Sequence, residues 1–287
     1  MGAGHIAGFY HAQFSLRNAA GYPVGIVADP ENIANGTESH AHKLIGPVEA
    51  TPLTIGREAA LFKGGQKILG RRQLGINDIG SFDITLTAFD ETFHALITGS
   101  NIDTALATAN SITTPNLNEA DPPQGMLLLT LGYQTTAGVN KYVTYGYHNV
   151  QISEAEAGGG NQNGGDNPNP LRYTVTVTSA TKTFFGIDYA DLDVGATDDS
   201  DFFARYVTAK PIGLSYFKAD ASDTSFLVGY RPVAAEHAGA RNVFSKDGAT
   251  AHASVSGVST TTGAITISSQ SGGEQWVTVY ETDFQAI

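Results

Sequence analysis

The stretch at residues 80–99, GSFDITLTAFDETFHALITG, holds two opposite periodicities joined without a linker. Phe82, Ile84, Leu86 and Ala88 alternate with Ser81, Asp83, Thr85 and Thr87, the period-2 pattern of a strand with one face buried. At Asp90 the period changes. Phe89, Phe93, Leu96 and Ile97 recur at helical spacing, Asp90 is placed to accept from the free N–H groups of the first turn, and Gly99 supplies a left-handed stop. A chain that contains this segment lays one short amphipathic helix, residues 90–98, against a sheet.

The remaining sequence supplies mostly β material. Thirty-three glycines, many Thr and Ser, and few helix-favouring runs elsewhere point to a mainly β fold, a β-sandwich or barrel with long loops. A length of 287 residues suffices for one large core or two smaller ones. Residues 1–232 read as the main β domain, opening on an irregular, extended arm over residues 1–56 that carries Pro23, Pro30, Pro47 and Pro52. Residues 233–287 read as a C-terminal β-meander that either completes the same sheet or forms a small appendage. In its last strand Trp276 and Tyr280 share one face.

Charge and composition exclude several functions. Only 15% of residues are charged, low for a surface fully exposed to water, so part of the surface is expected to be covered by other subunits. The net charge of −12 makes the chain repel phosphate backbones, leaving DNA at most a passive contact. With no cysteine there is no disulfide framework, thiol nucleophile or Cys-ligated zinc. The first residues lack the basic and apolar regions of an export signal, and the longest near-apolar run, residues 126–131, is too short for a membrane span. G-x-S-x-G, H-E-x-x-H and Walker A patterns do not occur, and neither an enzyme nor a cofactor is expected.

Three surfaces stand out. Residues 57–79 read as a hairpin with a Lys63-Gly64-Gly65-Gln66 turn, and Arg57, Lys63, Lys67, Arg71 and Arg72 make it the one basic patch of an acidic chain. It is either an ordinary solvated hairpin or an electrostatic contact to an adjacent subunit. The strand after residue 140 carries Tyr142 on one face and Tyr145 and Tyr147 on the other, which suits a core on one side and a partner on the other, or burial on both. Asp188, Asp191, Asp193, Asp198, Asp199 and Asp201 form an acidic run without the ligand order of an EF-hand, read as solvated negative surface or the lining of a channel. His40 and His42 fall on one strand face as a metal pair would, but no third ligand lies nearby, and no metal is expected. Residues 154–170, rich in Gly and Asn, read as a mobile loop, after which Leu171, Tyr173, Val175 and Val177 resume the alternation.

The order of a glycine-rich basic hairpin followed by GSFDITLTAFDETFHALITGSNID resembles the core of major tail tube proteins of long-tailed bacteriophages. The segment SGVSTTTGAITISSQSGGEQWVTVY is similar to strand-turn-strand units of phage virion proteins. The likeness covers about half the chain, mainly residues 57–152 and 250–281. It implies a β-sandwich tail-tube fold whose copies form stacked, usually hexameric, rings around a lumen through which genome DNA passes. The implied partners are further copies of the chain, a tape-measure protein, and tail-tip and terminator proteins, in a virion made in the bacterial cytoplasm. The alternative is a non-catalytic virion decoration or carbohydrate-binding module that uses Tyr142, Tyr145, Tyr147 and Trp276 as stacking platforms.

Overall fold

The structure, a computed structural model, describes residues 4–45, 47–50, 55–64, 67–79, 81–103, 111–113, 123–156, 171–178, 203–235, 242–246, 250–251, 255–268 and 270–287. Strands β1 (Gly4–Arg17), β2 (Pro23–Gly25), β3 (Thr37–His40), β4 (His42–Lys43) and β5 (Pro47–Ala50) come first. Then β6 (Ile55–Gly64), β7 (Lys67–Ile79) and β8 (Ser81–Leu86) lead into helix α1 (Glu91–Thr98). Strands β9 (Asn101–Asp103), β10 (Ser111–Thr113), β11 (Gly125–Thr135), β12 (Asn140–Glu156), β13 (Leu171–Val177) and β14 (Phe203–Thr208) follow. The chain closes with β15 (Ile212–Lys218), β16 (Ser225–Leu227), β17 (Asn242–Lys246), β18 (Thr250–Ala251), β19 (Val255–Val258), β20 (Ala264–Ile267) and β21 (Gln275–Glu281).

The protein is mainly β, with antiparallel sheets and one short helix among the described residues. The transition at Asp90 forms as its residues dictate. Phe82, Ile84 and Leu86 of β8 are buried, Asp90 accepts from the Phe93 N–H at 3.0 Å, and Gly99 takes φ 68°. Phe93 and Ile97 of α1 are buried, and the Phe93 ring meets Phe14 of β1 and Tyr173 of β13 edge-on at 5.7 and 5.2 Å. Phe89 departs from the expected apolar stripe: it precedes the helix and is 50% exposed.

The largest sheet runs β2-β1-β11-β12-β13-β8-β5, with β4 added to β1 and β14 added to β12. The N-terminal segment expected to be an irregular arm is instead a fourteen-residue strand inside this sheet. The reason lies in residues 11–17, where His11, Gln13, Ser15 and Arg17 alternate with Ala12, Phe14 and Leu16, and all are buried. Long β12 divides its free edge: residues 142–147 pair with β14 and residues 150–156 with β13, while β11 occupies the other edge. Of the expected loop, residues 154–156 belong to β12 and the rest lies outside the described residues.

In a second sheet, β18-β17-β21-β15-β3, the strands β15 and β21 are buried on both faces. Along β21, Val277 and Val279 join the core of the large sheet, whereas Trp276 and Tyr280 point into a second core with Phe226, Val258 and Ile265. Its neighbour β15 divides the same way, Leu214 and Tyr216 to the first core and Phe217 to the second. The second core is closed by a small sheet, β16-β20-β19, which makes three sheet layers. The expected C-terminal meander is therefore corrected: β19 and β20 pair as a hairpin, but β21 leaves them to pair with β15 and β17 in the middle layer. Gly213 of β15 is needed there, because a Cβ would come within 2.8 Å of the Tyr280 ring opposite it.

Candidate functional site

Asp90 does more than cap the helix. Its carboxylate, 1% exposed, also accepts from the Ile45 N–H at 3.0 Å and bonds His42 Nε2 at 2.8 and 2.9 Å, tying β4 and the following chain to the start of α1. Burial alone would raise its pKa, but the bonds from His42, Phe93 and Ile45 outweigh that and hold it below the ordinary carboxylate value. Asp90→Ala leaves two N–H donors and an imidazole without their acceptor, and is expected to cost about 3 kcal/mol in urea denaturation. A loss under about 1 kcal/mol would mean that water replaces the carboxylate readily.

His42 is thus committed to Asp90. His40, two residues earlier, bonds Ser215 Oγ at 3.0 Å on β15, so the two imidazoles serve different neighbours instead of converging on an ion. Among the described residues no group of three or more His, Asp or Glu is arranged to hold a metal.

The tyrosines of β12 separate by depth. Tyr147 is 4% exposed and its ring lies 4.9 Å from Phe82, so its place as an inter-subunit contact is corrected to core. Tyr145 is half-buried against the same core. On the opposite face Tyr142 is half-buried and packs edge-on at 4.9 Å against Tyr10, which is 51% exposed. Trp276 is fully buried between the second and third layers and cannot serve as a stacking platform.

Around these tyrosines the strand order is β1, β11, β12, β14, and each outer strand has an edge that no described strand pairs over part or all of its length. The edge of β1 away from β11 meets β4 at Gln13 and Phe14 and β2 at Leu16 and Arg17; over residues 4–11 no described strand pairs with it. Strand β14 pairs with β12 alone among the described strands. Such edges are templates for another chain unless something covers them.

The expected basic hairpin is present and longer than anticipated, with register from Ile55 opposite Ile79 to Gly64 opposite Lys67. It forms a sheet of its own, paired with no other described strand. It carries Arg57, Lys63, Lys67, Arg71 and Arg72, five of the chain's sixteen Lys and Arg. The acidic run Asp188, Asp191, Asp193, Asp198, Asp199 and Asp201 lies outside the described residues.

Between the first two layers the polar face of β1 is buried. Gln13 Nε2 donates to the Ile212 carbonyl at 2.7 Å and lies 3.2 Å from His11 Nε2, and Arg17 donates to the carbonyls of His148 and Gly21 at 2.6 and 3.1 Å. Burial, reinforced by the Lys43 charge, lowers the His11 pKa to about 3; burial, reinforced by Arg17, lowers that of His148 to about 3. Both imidazoles are neutral at pH 7.

A cleft of about 560 Å³ lies between α1 and the segments on either side of β2, residues 16–19 and 26–31. Leu96, Ala95, Ile26, Val27, Pro30 and Pro123 supply its apolar walls. The cleft, the open edge of β1 and Tyr10 had escaped the reading of the sequence. Only strand β1 itself leaves a signal in the sequence, the strict alternation of residues 11–17. No protein-family model matches this chain, and no curated protein matches it.

Proposed function

We propose that the chain is a structural, non-catalytic subunit that assembles with copies of itself into stacked rings, forming the hollow tail tube of a long-tailed bacteriophage. The observation that carries this reading is the pair of edges flanking β1-β11-β12-β14 that have no partner among the described strands over residues 4–11 of β1 and along β14. Edge-to-edge pairing between identical copies satisfies both at once, and repetition around an axis closes a ring without leaving a free edge. Half-exposed Tyr10 beside Tyr142 gives such a contact an aromatic component, and the sparse charge suits a surface that is largely covered. An excess of twelve negative charges lets DNA slide past without adhering. Tape-measure, tip and terminator proteins are the further partners, and the virion is the location.

The carbohydrate-binding alternative loses two of its four rings, Tyr147 and Trp276, to the interior. Negative-stain electron microscopy of the concentrated protein is expected to show rings or hollow tubes. A protein that stays monomeric at high concentration would remove the reading.

A further inference from the structure

We propose that Asn35, at its peptide bond to Gly36, is a covalent modification site that the fold holds in check, and that its conversion to aspartate or isoaspartate releases strand β3. The chemistry is that of an Asn-Gly pair. The Gly36 amide nitrogen, once deprotonated, attacks the Asn35 side-chain carbonyl carbon. A C–N bond forms, the bond to Nδ2 breaks, and ammonia leaves with a proton from solvent. Water then opens the cyclic imide at either carbonyl, giving aspartate or, with one more methylene in the main chain, isoaspartate. Water is the sole co-reactant, and nothing is oxidised or reduced. Glycine leaves the attacking nitrogen without a neighbouring Cβ, and both residues are exposed, so solvent reaches the site.

In the folded chain the nucleophile is engaged. The Gly36 N–H donates to the Lys218 carbonyl at 2.7 Å, one residue before Thr37, which pairs with Lys218 in the β3–β15 ladder. Lys218 clamps the segment a second time, its Nζ donating to the Ile33 carbonyl at 2.6 Å. The Asn35 amide rests against the turn at Gly272 and Gly273, where a Cβ on Gly272 would come within 3.3 Å of Nδ2. Attack requires the Gly36 nitrogen to lose its proton and turn toward the side chain, which breaks its bond to Lys218.

The place of β3 makes the site consequential. It is the end strand of the second sheet, paired with β15 alone among the described strands, so local opening frees it without disturbing β21. Its residues nevertheless tie three layers together. Ser39 Oγ accepts from the Ile26 N–H at 2.9 Å, just after β2 of the first; His40 bonds Ser215 Oγ at 3.0 Å in the second; and the Glu38 carboxylate accepts from the Leu227 N–H at 2.7 Å in the third. An added main-chain methylene at residue 35 displaces these side chains from their partners. The new carboxylate also stands near exposed Asp220, whose Cβ lies 3.7 Å from where a Cβ on Gly36 would be. Opening of β3 thus admits the reaction, and the product keeps the strand from pairing again.

Peptide mass spectrometry tests this directly, because trypsin releases residues 18–43 as one peptide in which Asn18 and Asn32, followed by Ala and Ile, are internal controls. Aged at mildly alkaline pH, the folded protein is expected to deamidate at Asn35 at least about tenfold more slowly than the protein in urea. Ser39→Ala, which removes the acceptor of the Ile26 N–H, is expected to raise the folded-state rate about two- to fivefold and leave the rate in urea unchanged. Glu38→Ala takes its place should that variant fold poorly. Protein aged in urea and refolded is expected to unfold at lower urea than fresh protein, and Asn35→Gln treated alongside to show a smaller shift. Equal Asn35 rates in folded and urea-unfolded protein would overturn the proposal. So would a folded-state rate unmoved by either variant, or a deamidated sample whose urea midpoint falls no further than that of Asn35→Gln.

Discussion

Between pH 7 and pH 5 the protein is expected to lose roughly 4 kcal/mol of unfolding free energy, without any change in its covalent structure. The loss comes from His11 and His148, whose pKa values burial lowers from the ordinary 6.5 to about 3 in the folded chain. As the pH falls below 6.5 the unfolded chain takes up protons at both imidazoles while the folded chain, until about pH 3, does not. Protonation therefore favours unfolding, by roughly 2 kcal/mol per histidine at pH 5. His40, lowered by its burial, acts in the same direction. Glu38, raised by its burial, acts in the opposite direction, but only in the carboxylate range where the effect of the histidines is already large. Asp90, held low by its donors, adds a further loss at still lower pH, as the unfolded carboxylate takes up a proton that the folded one resists. Urea midpoints measured at pH 7, 6 and 5 test this, with His11→Gln and His148→Gln each expected to flatten the slope. A midpoint that does not move over that range would mean that the imidazoles are solvated.

The two histidines also show what a local pattern can and cannot convey. Residues 81–99 announced a strand, a cap, a helix and a stop because every determinant lies within a few residues of the next, and all four appear. The partner of that cap did not announce itself. His42 is 48 residues from Asp90, and no local rule connects them. In residues 11–17 the alternation was legible, yet the surrounding glycines and prolines pointed to an arm. What overrode them was pairing with β11, more than a hundred residues later in the chain. The C-terminal meander failed for the converse reason. Its three strands and their turns were legible, but β21 is claimed at both edges by β15 and β17, and sequence proximity to β20 carried no weight against a place in the middle layer, where a core covers each of its faces. For the surfaces, type was legible and depth was not: Tyr142 and Tyr147 read alike, and only the position of β8 and Phe82 puts one in the core and leaves the other beside Tyr10.

Trp276→Ala is expected to cost about 3 to 5 kcal/mol and to weaken all three layers together. The side chain is fully buried in the second core, where the Phe217 and Phe226 rings stack at 4.7 Å and the Trp276 ring lies 6.3 Å from Phe226. Removing it leaves a void that stacked aromatic rings cannot close by small shifts. The effect should not stay local, because adjacent Val277 sits on the reverse face of the same strand in the first core, opposite Tyr216. A strand shared by two cores couples them, so far-UV circular dichroism and intrinsic fluorescence should report one transition in the unmutated protein, and the dichroic transition of the variant should move as a whole to lower urea. Trp276 is the chain's single tryptophan, so in the unmutated protein its emission reports this layer alone. It should be blue-shifted and resistant to acrylamide until the unfolding transition, and Trp276→Phe should recover much of the lost stability while abolishing that signal. Emission typical of an exposed indole, or a fluorescence transition that precedes the dichroic one by a clear margin, would mean that residues 233–287 form a separate unit and that β21 does not join the layers.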